Sequence, residues 1–293
     1  MLETITPSDF STEDAIHVGI IASSWPGWAI PFSHTRYSLQ WIITFNCDLL
    51  QILRRCFPSV LVLSFDQLDF SRLASVDILA FNGPFTRLIS PPESASLLLF
   101  DWNMRMKTGW GNWKTLTHKL AHSDCGGVSD FRGTIKWCIH HNSCSSFSVD
   151  SVSVDPAPFA SLGSILNHTE NGEDLAQAPR LQRLIIPQVE MISHKSYHPD
   201  GLFPTQVPTP FFIVPSVFSK SRWVKRKLSC KELLAVQDVP ASIISCLSPS
   251  ERRFVHKCIT TPMKCLSAFT AAIFIKGFVS LSGGEGEEQS RVG

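Results

Sequence analysis

Residues Trp41–Ser90 read WIITFNCDLLQILRRCFPSVLVLSFDQLDFSRLASVDILAFNGPFTRLIS, and the succession of patterns inside them decides the fold class. The apolar run Trp41–Phe45 predicts a strand. Between Cys47 and Phe57, the residues Leu49, Leu50, Ile52, Leu53 and Phe57 share one broad face, with Arg54 and Arg55 outside it. That spacing predicts an amphipathic helix over Asp48–Arg55 that docks on a sheet. A second strand is expected over Val60–Phe65 and a third over Val76–Phe81, which runs into the turn residues Gly83-Pro84. Strands alternating with a helix at this spacing make βαβ units and a parallel sheet, hence an α/β fold. Ligands of such sheets sit at the carboxyl ends of the strands, so the loops that follow them are the candidate site.

Upstream, Ile16–Ser23 (IHVGIIAS) is a β-rich run of the kind that forms a central parallel strand. It leads into Ser24-Trp25-Pro26-Gly27-Trp28, where Pro and Gly impose a turn that is either an ordinary connection or a cofactor loop. Asp66 and Asp69 follow the second strand of the central stretch, where a carboxylate holds a ribose hydroxyl or an adenine amine, or caps a helix. Downstream, Trp102, Trp110 and Trp113 suit base stacking or packing. Cys125, Cys138, His140, His141 and Cys144 lack the paired spacing of a zinc module, and no metal is assigned. Residues 145–181 are polar and aperiodic, and 182–219 carry six prolines among short apolar runs, as extended segments or edge strands do. Ser229 with Glu232, and Ser248 with Glu251, have the spacing of capping boxes and start two helices.

Composition narrows the classes further. The chain has 293 residues, enough for a large core, and nine cysteines in irregular positions, which read as thiols of a reducing compartment. The polar, acidic start MLETITPSDFSTED does not resemble a signal or transit peptide, so an intracellular location, nuclear or cytoplasmic, is expected. Cys265–Leu281 is apolar but short and interrupted by Lys276, so a buried element is expected there and no membrane span. With a net charge of +1, any polyanion must be met by a local patch. The clearest is Lys220–Lys227 (KSRWVKRK), five cations around Trp223, which suits phosphate and base contact.

In this order, the blocks resemble the cytosine-5 DNA methyltransferases. The most specific is Arg226-Lys227-Leu228-Ser229-Cys230-Lys231-Glu232-Leu233-Leu234-Ala235-Val236-Gln237-Asp238-Val239-Pro240. It is similar to the family's R-x-L-T-x-R-E-x-x-x-x-Q-x-x-P without a gap, with Ser for Thr and Lys for Arg. Cys56-Phe57-Pro58 after a helix, then Asp66, then Asp77-Ile78-Leu79 leading to Gly83-Pro84, resemble the second, third and fourth motifs. Ser24–Trp28 stands where the family has F-x-G-x-G, and Pro262–Phe269 resembles the helix after the closing motif. The likeness covers residues 16–90 and 222–270.

The resemblance implies a Rossmann-like S-adenosylmethionine-dependent methyltransferase sheet with an irregular, smaller recognition region. Its implied division is an arm (1–14), a methyltransferase-like domain in two parts (15–144 and 220–281), a recognition-like insert (145–219) and a tail (282–293). It implies S-adenosylmethionine as cofactor at Trp25, Gly27, Trp28, Asn46, Asp66, Gly83 and Pro84, with Asp66 at the adenine amine and Gly27 at the methionine end. It implies DNA as partner at Arg222, Trp223, Lys225 and Arg226. The family nucleophile is the Cys of a Pro-Cys pair, whose thiolate attacks C6 of a flipped-out cytosine. Here Phe85 follows Pro84, and Thr86 comes next. Phe has no lone pair to offer, and a Thr hydroxyl without a nearby base is a poor substitute. No acidic residue ends the second strand, where Thr44 and Asn46 stand, and no Glu-Asn-Val block or Arg-x-Arg pair is found. The expectation is a catalytically inactive DNA methyltransferase relative that binds cofactor and DNA. The alternative is a non-catalytic α/β interaction protein without cofactor.

Overall fold

The computed structural model describes residues 15–33, 37–67, 73–83, 95–101, 112–140, 165, 183–186, 195–197, 202–203, 211–215, 223–227 and 229–276. Five strands are mutually parallel: β1 (Ile16–Ala22), β2 (Tyr37–Thr44), β3 (Leu61–Ser64), β4 (Ile78–Asn82) and β5 (Leu97–Phe100). With β6 (Trp113–Ala121) and β7 (Arg132–His140) they form a seven-stranded sheet of order β3-β2-β1-β4-β5-β7-β6, in which β7 is antiparallel to β5. Every residue of β4 and β5 is buried, as expected of central strands covered on both faces, which show unbroken apolar runs in sequence.

The first strand approaches its neighbour so closely that one position must lack a side chain. A Cβ on Gly19 would lie 2.3 Å from the Trp41 ring, and the β1–β2 register slips between Val18 and Gly19. Trp41 is held in place by an indole N–H bond to Ala74 O at 3.1 Å. Helix α1 (Cys47–Cys56) is capped by Asn46, whose side chain accepts from Asp48 N at 3.1 Å. It buries Leu49, Ile52 and Leu53, and Arg54 reaches across to Val62 O.

Strands β5, β6 and β7 of this sheet were absent from the sequence expectation. In β6 only Leu120 is buried, while Lys114, Thr115, Thr117 and Lys119 are exposed, the signature of a charged sheet edge rather than of an apolar run. Of the tryptophans upstream, Trp113 meets His140 edge-on at 5.1 Å, while Trp102 and Trp110 lie outside the described residues.

Four helices follow near the end of the chain: α2 (Cys230–Val236), α3 (Ala241–Cys246), α4 (Pro249–Cys258) and α5 (Met263–Lys276). Both expected capping boxes form. Ser229 and Glu232 bond reciprocally at 3.2 and 2.8 Å, and Ser248 and Glu251 at 3.4 and 2.8 Å. Helix α5 buries Cys265, Leu266, Phe269 and Ala272, and among the described residues no helix is long and apolar enough to cross a membrane. A second, antiparallel sheet has the order β11-β10-β8-β9, built from β8 (Arg183–Ile186), β9 (Lys195–Tyr197), β10 (Phe211–Pro215) and β11 (Trp223–Lys227).

Contacts divide the chain into two units. One comprises Met1–Lys119, Thr134–Val154 and Leu266–Gly293, and the other Leu120–Gly133 and Asp155–Cys265.

Candidate functional site

Strand β1 has β2 on one side and β4 on the other, so the strand order reverses there. In open α/β sheets the crevice beyond the carboxyl ends at such a reversal is where ligands bind. The turn after β1 is tied to the end of β4 by Ser23 N donating to Asn82 O at 3.0 Å. Ser24-Trp25-Pro26 then leads into a 3-10 turn, Gly27–Ala29, all of it buried. Trp28 is fully buried between Phe32 and Phe269, with ring centroids 6.1 and 6.2 Å away, and its indole N–H donates to Phe81 O at 3.1 Å. Trp25, 1 % exposed, packs on Phe57 at 6.2 Å.

A polar bridge spans the ends of β4 and β5. The buried carboxylate of Asp101 accepts from Asn82 Nδ2 and from Gly83 N, each at 2.8 Å, and Asn82 Oδ1 accepts from Trp28 N at 3.3 Å. These charge-assisted bonds offset the cost of burying the carboxylate. They also fix Gly83 at φ +86°, a left-handed conformation that glycine adopts without strain. The Ser24 hydroxyl lies against that residue: a Cβ on Gly83 would meet Ser24 Oγ at 2.4 Å. Among the described residues two buried side-chain atoms have no hydrogen-bond partner, Ser24 Oγ and Trp25 Nε1, and both belong to the turn after β1. A buried polar atom left unbonded costs about 1–3 kcal/mol, which a ligand acceptor at the same place would return.

The ends of β2 and β3 carry aromatic rings. Phe45 and Phe65 stack with centroids 3.9 Å apart, and exposed Asp66 follows Phe65 in a 3-10 turn, Phe65–Gln67. Thr44 is fully buried and bonds to the backbone of Asn46 at 3.0 and 3.2 Å.

The structure thus brings Trp25, Gly27, Trp28 and Gly83 to one strand end, and sets Asn46 and Asp66 at the ends of the two neighbouring strands. Pro84, Phe85, Thr86 and Arg222 lie outside the described residues, and Trp223, Lys225 and Arg226 are in β11. Ser24, Asn82, Asp101 and the Phe45–Phe65 pair escaped the sequence reading. The available signal was position alone, since Asp101 directly follows the run Leu97–Phe100 and Asn82 directly precedes Gly83.

A separate cluster in the second unit has the composition of a hydrolytic triad. His122 is bonded through Nδ1 to Ser129 and through Nε2 to Asp238. Ser129 N also donates to Nδ1 at 3.2 Å, which makes Nδ1 the acceptor and assigns the ring proton to Nε2, facing Asp238. In a Ser-His-Asp hydrolase the carboxylate orients Nδ1 and the serine lies at Nε2, the reverse of this order. Both ring nitrogens of the buried His122 and the Ser129 hydroxyl are already taken up in these bonds, in the reverse of the catalytic order, and the cluster is a brace. Lys264 extends it, with Nζ 3.5 Å from Asp238 Oδ1 and donating to Gly126 O at 2.9 Å. Beside it the Cys125 thiol is held below its usual range by a hydrogen bond with Cys265. The same bond, together with burial, pushes the Cys265 thiol well up. Among the described residues no group of three or more His, Cys, Asp or Glu could hold a metal ion.

No protein-family model matches the sequence, and no curated protein matches it. Solved structures do match. Dnmt2 from Spodoptera frugiperda, in a variant form, superposes with a TM-score of 0.60 at 13 % identity, over 89 % of this chain and 100 % of that one. The S. pombe Dnmt2 methyltransferase gives 0.57 at 9 %, over 90 % and 100 %. A prophage-encoded protein of E. coli, named as a DNA modification methyltransferase, gives 0.59 at 12 %, over 89 % and 99 %. The fold is a Rossmann-like methyltransferase fold. At these identities the likeness is one of architecture, and it runs over nearly the whole of each matched methyltransferase chain. The methyltransferase-like sheet places the turn Ser24–Trp28 and the Asn82–Gly83–Asp101 bridge at its strand-order reversal.

Proposed function

We propose that this chain binds S-adenosylmethionine and DNA through a methyltransferase-like fold and does not methylate cytosine. The observation that carries the reading is the pair of unbonded, buried donors, Ser24 Oγ and Trp25 Nε1, in the turn at the strand-order reversal. The residues fit the cofactor at its two ends. Ser24 and Trp25 offer donors to the methionine carboxylate, and Asp66 offers an acceptor to the adenine amine beside the Phe45–Phe65 rings. The middle is less well served. Thr44 is buried and Asn46 Oδ1 caps α1, so the end of β2 offers no carboxylate to the ribose hydroxyls, and Asp69 lies outside the described residues. The absent acid supports a cofactor affinity weaker than the fold's active members have.

When bound, S-adenosylmethionine supplies an electrophilic methyl group. Its transfer to cytosine C5 requires a nucleophile at C6 to raise electron density on the ring. The position after Pro84 holds Phe85, which has no lone pair, and this supports binding without turnover. Calorimetric titration of the purified chain with S-adenosylmethionine tests the first half. Micromolar binding that weakens at least tenfold in Asp66→Ala is expected, and no heat at any concentration would remove the cofactor from the reading. Transfer of labelled methyl from S-adenosylmethionine to cytosine-containing DNA tests the second half. No incorporation is expected, and incorporation by the wild-type chain would refute inactivity.

A further inference from the structure

The turn that carries the two unbonded donors is clamped at both ends by one residue, Asn82, the last of β4 and fully buried. Its backbone carbonyl accepts from Ser23 N at 3.0 Å, just before the turn, and its side-chain Oδ1 accepts from Trp28 N at 3.3 Å, just after it. Only Ser24, Trp25, Pro26 and Gly27 lie between those bonds. The second bond depends on which way the Asn82 amide points. The two ends of a primary amide are nearly equal in shape and opposite in hydrogen bonding, so rotation by half a turn would set N–H against the Trp28 N–H. Asp101 fixes the direction. A carboxylate only accepts, so at 2.8 Å it takes the Nδ2 end of Asn82 and leaves Oδ1 for Trp28. Its other oxygen accepts from Gly83 N at 2.8 Å, so the carboxylate cannot turn away without leaving a buried N–H unpaired.

We propose that Asn82 is the positioning residue of the cofactor site: oriented by Asp101, it holds the turn Ser24–Gly27 in the shape that offers the Ser24 hydroxyl and the Trp25 indole N–H to the methionine carboxylate. The inference rests on the cofactor reading above and adds to it the residue that makes those donors available without touching the ligand. Two features support it. The Trp28 side chain is anchored independently, by its indole bond to Phe81 O at 3.1 Å and by the rings of Phe32 and Phe269. What Asn82 adds is the direction of the Trp28 N–H, hence the tilt of the Gly27–Trp28 peptide plane, next to a residue with no side chain to fix it. Gly83, which follows Asn82 and shares its tie to Asp101, also bounds the Ser24 hydroxyl on one side, since a Cβ there would meet Ser24 Oγ at 2.4 Å.

The test is calorimetric titration of full-length variants with S-adenosylmethionine, with urea unfolding to confirm that each is folded. Asn82→Leu keeps the volume and removes both side-chain bonds, while Asn82→Asp sets carboxylate against carboxylate. Each should weaken binding about tenfold, the worth of one hydrogen bond. The exchange variant Asn82→Asp/Asp101→Asn is decisive. A carboxylate at position 82 accepts from Trp28 N and from the amide now at position 101, whose oxygen accepts from Gly83 N, so every bond is remade. Binding should return to within about threefold of wild type. Hydrogen exchange of the Trp28 backbone N–H, followed by NMR without ligand, should be fast in both single variants and slow again in the exchange variant. Gly19→Ala, destabilised within β1 and away from the turn, should bind as wild type does, which separates positioning from loss of stability. Wild-type affinity in Asn82→Leu, or an exchange variant no better than Asn82→Asp, would overturn the inference and leave the cofactor reading standing. A wild-type chain that takes up no S-adenosylmethionine would overturn both.

Discussion

Replacing Asp101 should loosen the carboxyl ends of β4 and β5 more than any other single polar change at the candidate site. In Asp101→Ala the Asn82 amide and the Gly83 N–H both lose an acceptor at 2.8 Å inside a buried region. Each buried donor left unmade costs about 1–3 kcal/mol, and relief of the buried charge returns part of it, so a net loss of roughly 3 kcal/mol is expected. Asp101→Asn keeps the shape and one acceptor. Its own amide then opposes that of Asn82, so one bond is lost and the expected cost is about half as large. Urea unfolding of the three proteins measures this, with the midpoint falling in the order wild type, Asn, Ala at an unchanged slope. Asp101→Ala should also weaken S-adenosylmethionine binding, because Gly83 is freed from its left-handed conformation. An Ala variant within about 0.5 kcal/mol of wild type would refute the bridge as the element that fixes this end of the sheet.

Three further outcomes follow from other parts of the molecule. Gly19→Ala should destabilise by about 1–3 kcal/mol through the clash with the Trp41 ring, and pairing it with Trp41→Leu in a double-mutant cycle should recover most of that loss. Burial lowers the pKa of His118, and burial followed by the charge of Lys257 lowers that of His256, so the fold keeps both rings neutral. The unfolded chain takes up protons at about pH 6.5, so the melting temperature should fall as the pH drops below that value toward the folded pKa values, and less steeply in His256→Gln. Oxidised glutathione, accepting two electrons and releasing two reduced molecules, should join the hydrogen-bonded Cys125 and Cys265 in a disulfide. Peptide mapping would then find that bridge, and Cys265→Ser should abolish it.

Four of the five parallel strands, β1 to β4, were legible to within four residues at either end, because central strands are written as apolar runs, as in Ile16–Ala22. The capping boxes were legible because both partners lie three residues apart. The edge strand β6 was hidden, since WKTLTHKLA mixes polar and apolar residues without a buried stripe. That Gly27, Asp66 and Gly83 follow strand ends was legible from the apolar runs before them. The bonds that assemble the site were not, because Asp101 meets Asn82 from 19 residues away and Trp28 meets Asn82 from 54. Trp25 and Trp28, expected at the cofactor, are both buried against other aromatic rings, and only Trp25 keeps an indole N–H without a partner.

The brace around His122 sets a timetable for the nascent chain. By the time the ribosome has made His140, all seven strands of the large sheet exist, yet Asp238, the partner of His122 Nε2, is still to come. The 98 residues from His140 to Asp238 take roughly 5–20 s to translate at 5–20 residues per second. Throughout that interval the turn that holds His122 lacks the helices that bury it, while the sheet beside it in sequence can already close. Synthesis of the carboxyl-terminal helices is therefore the step on which completion of a much earlier turn depends.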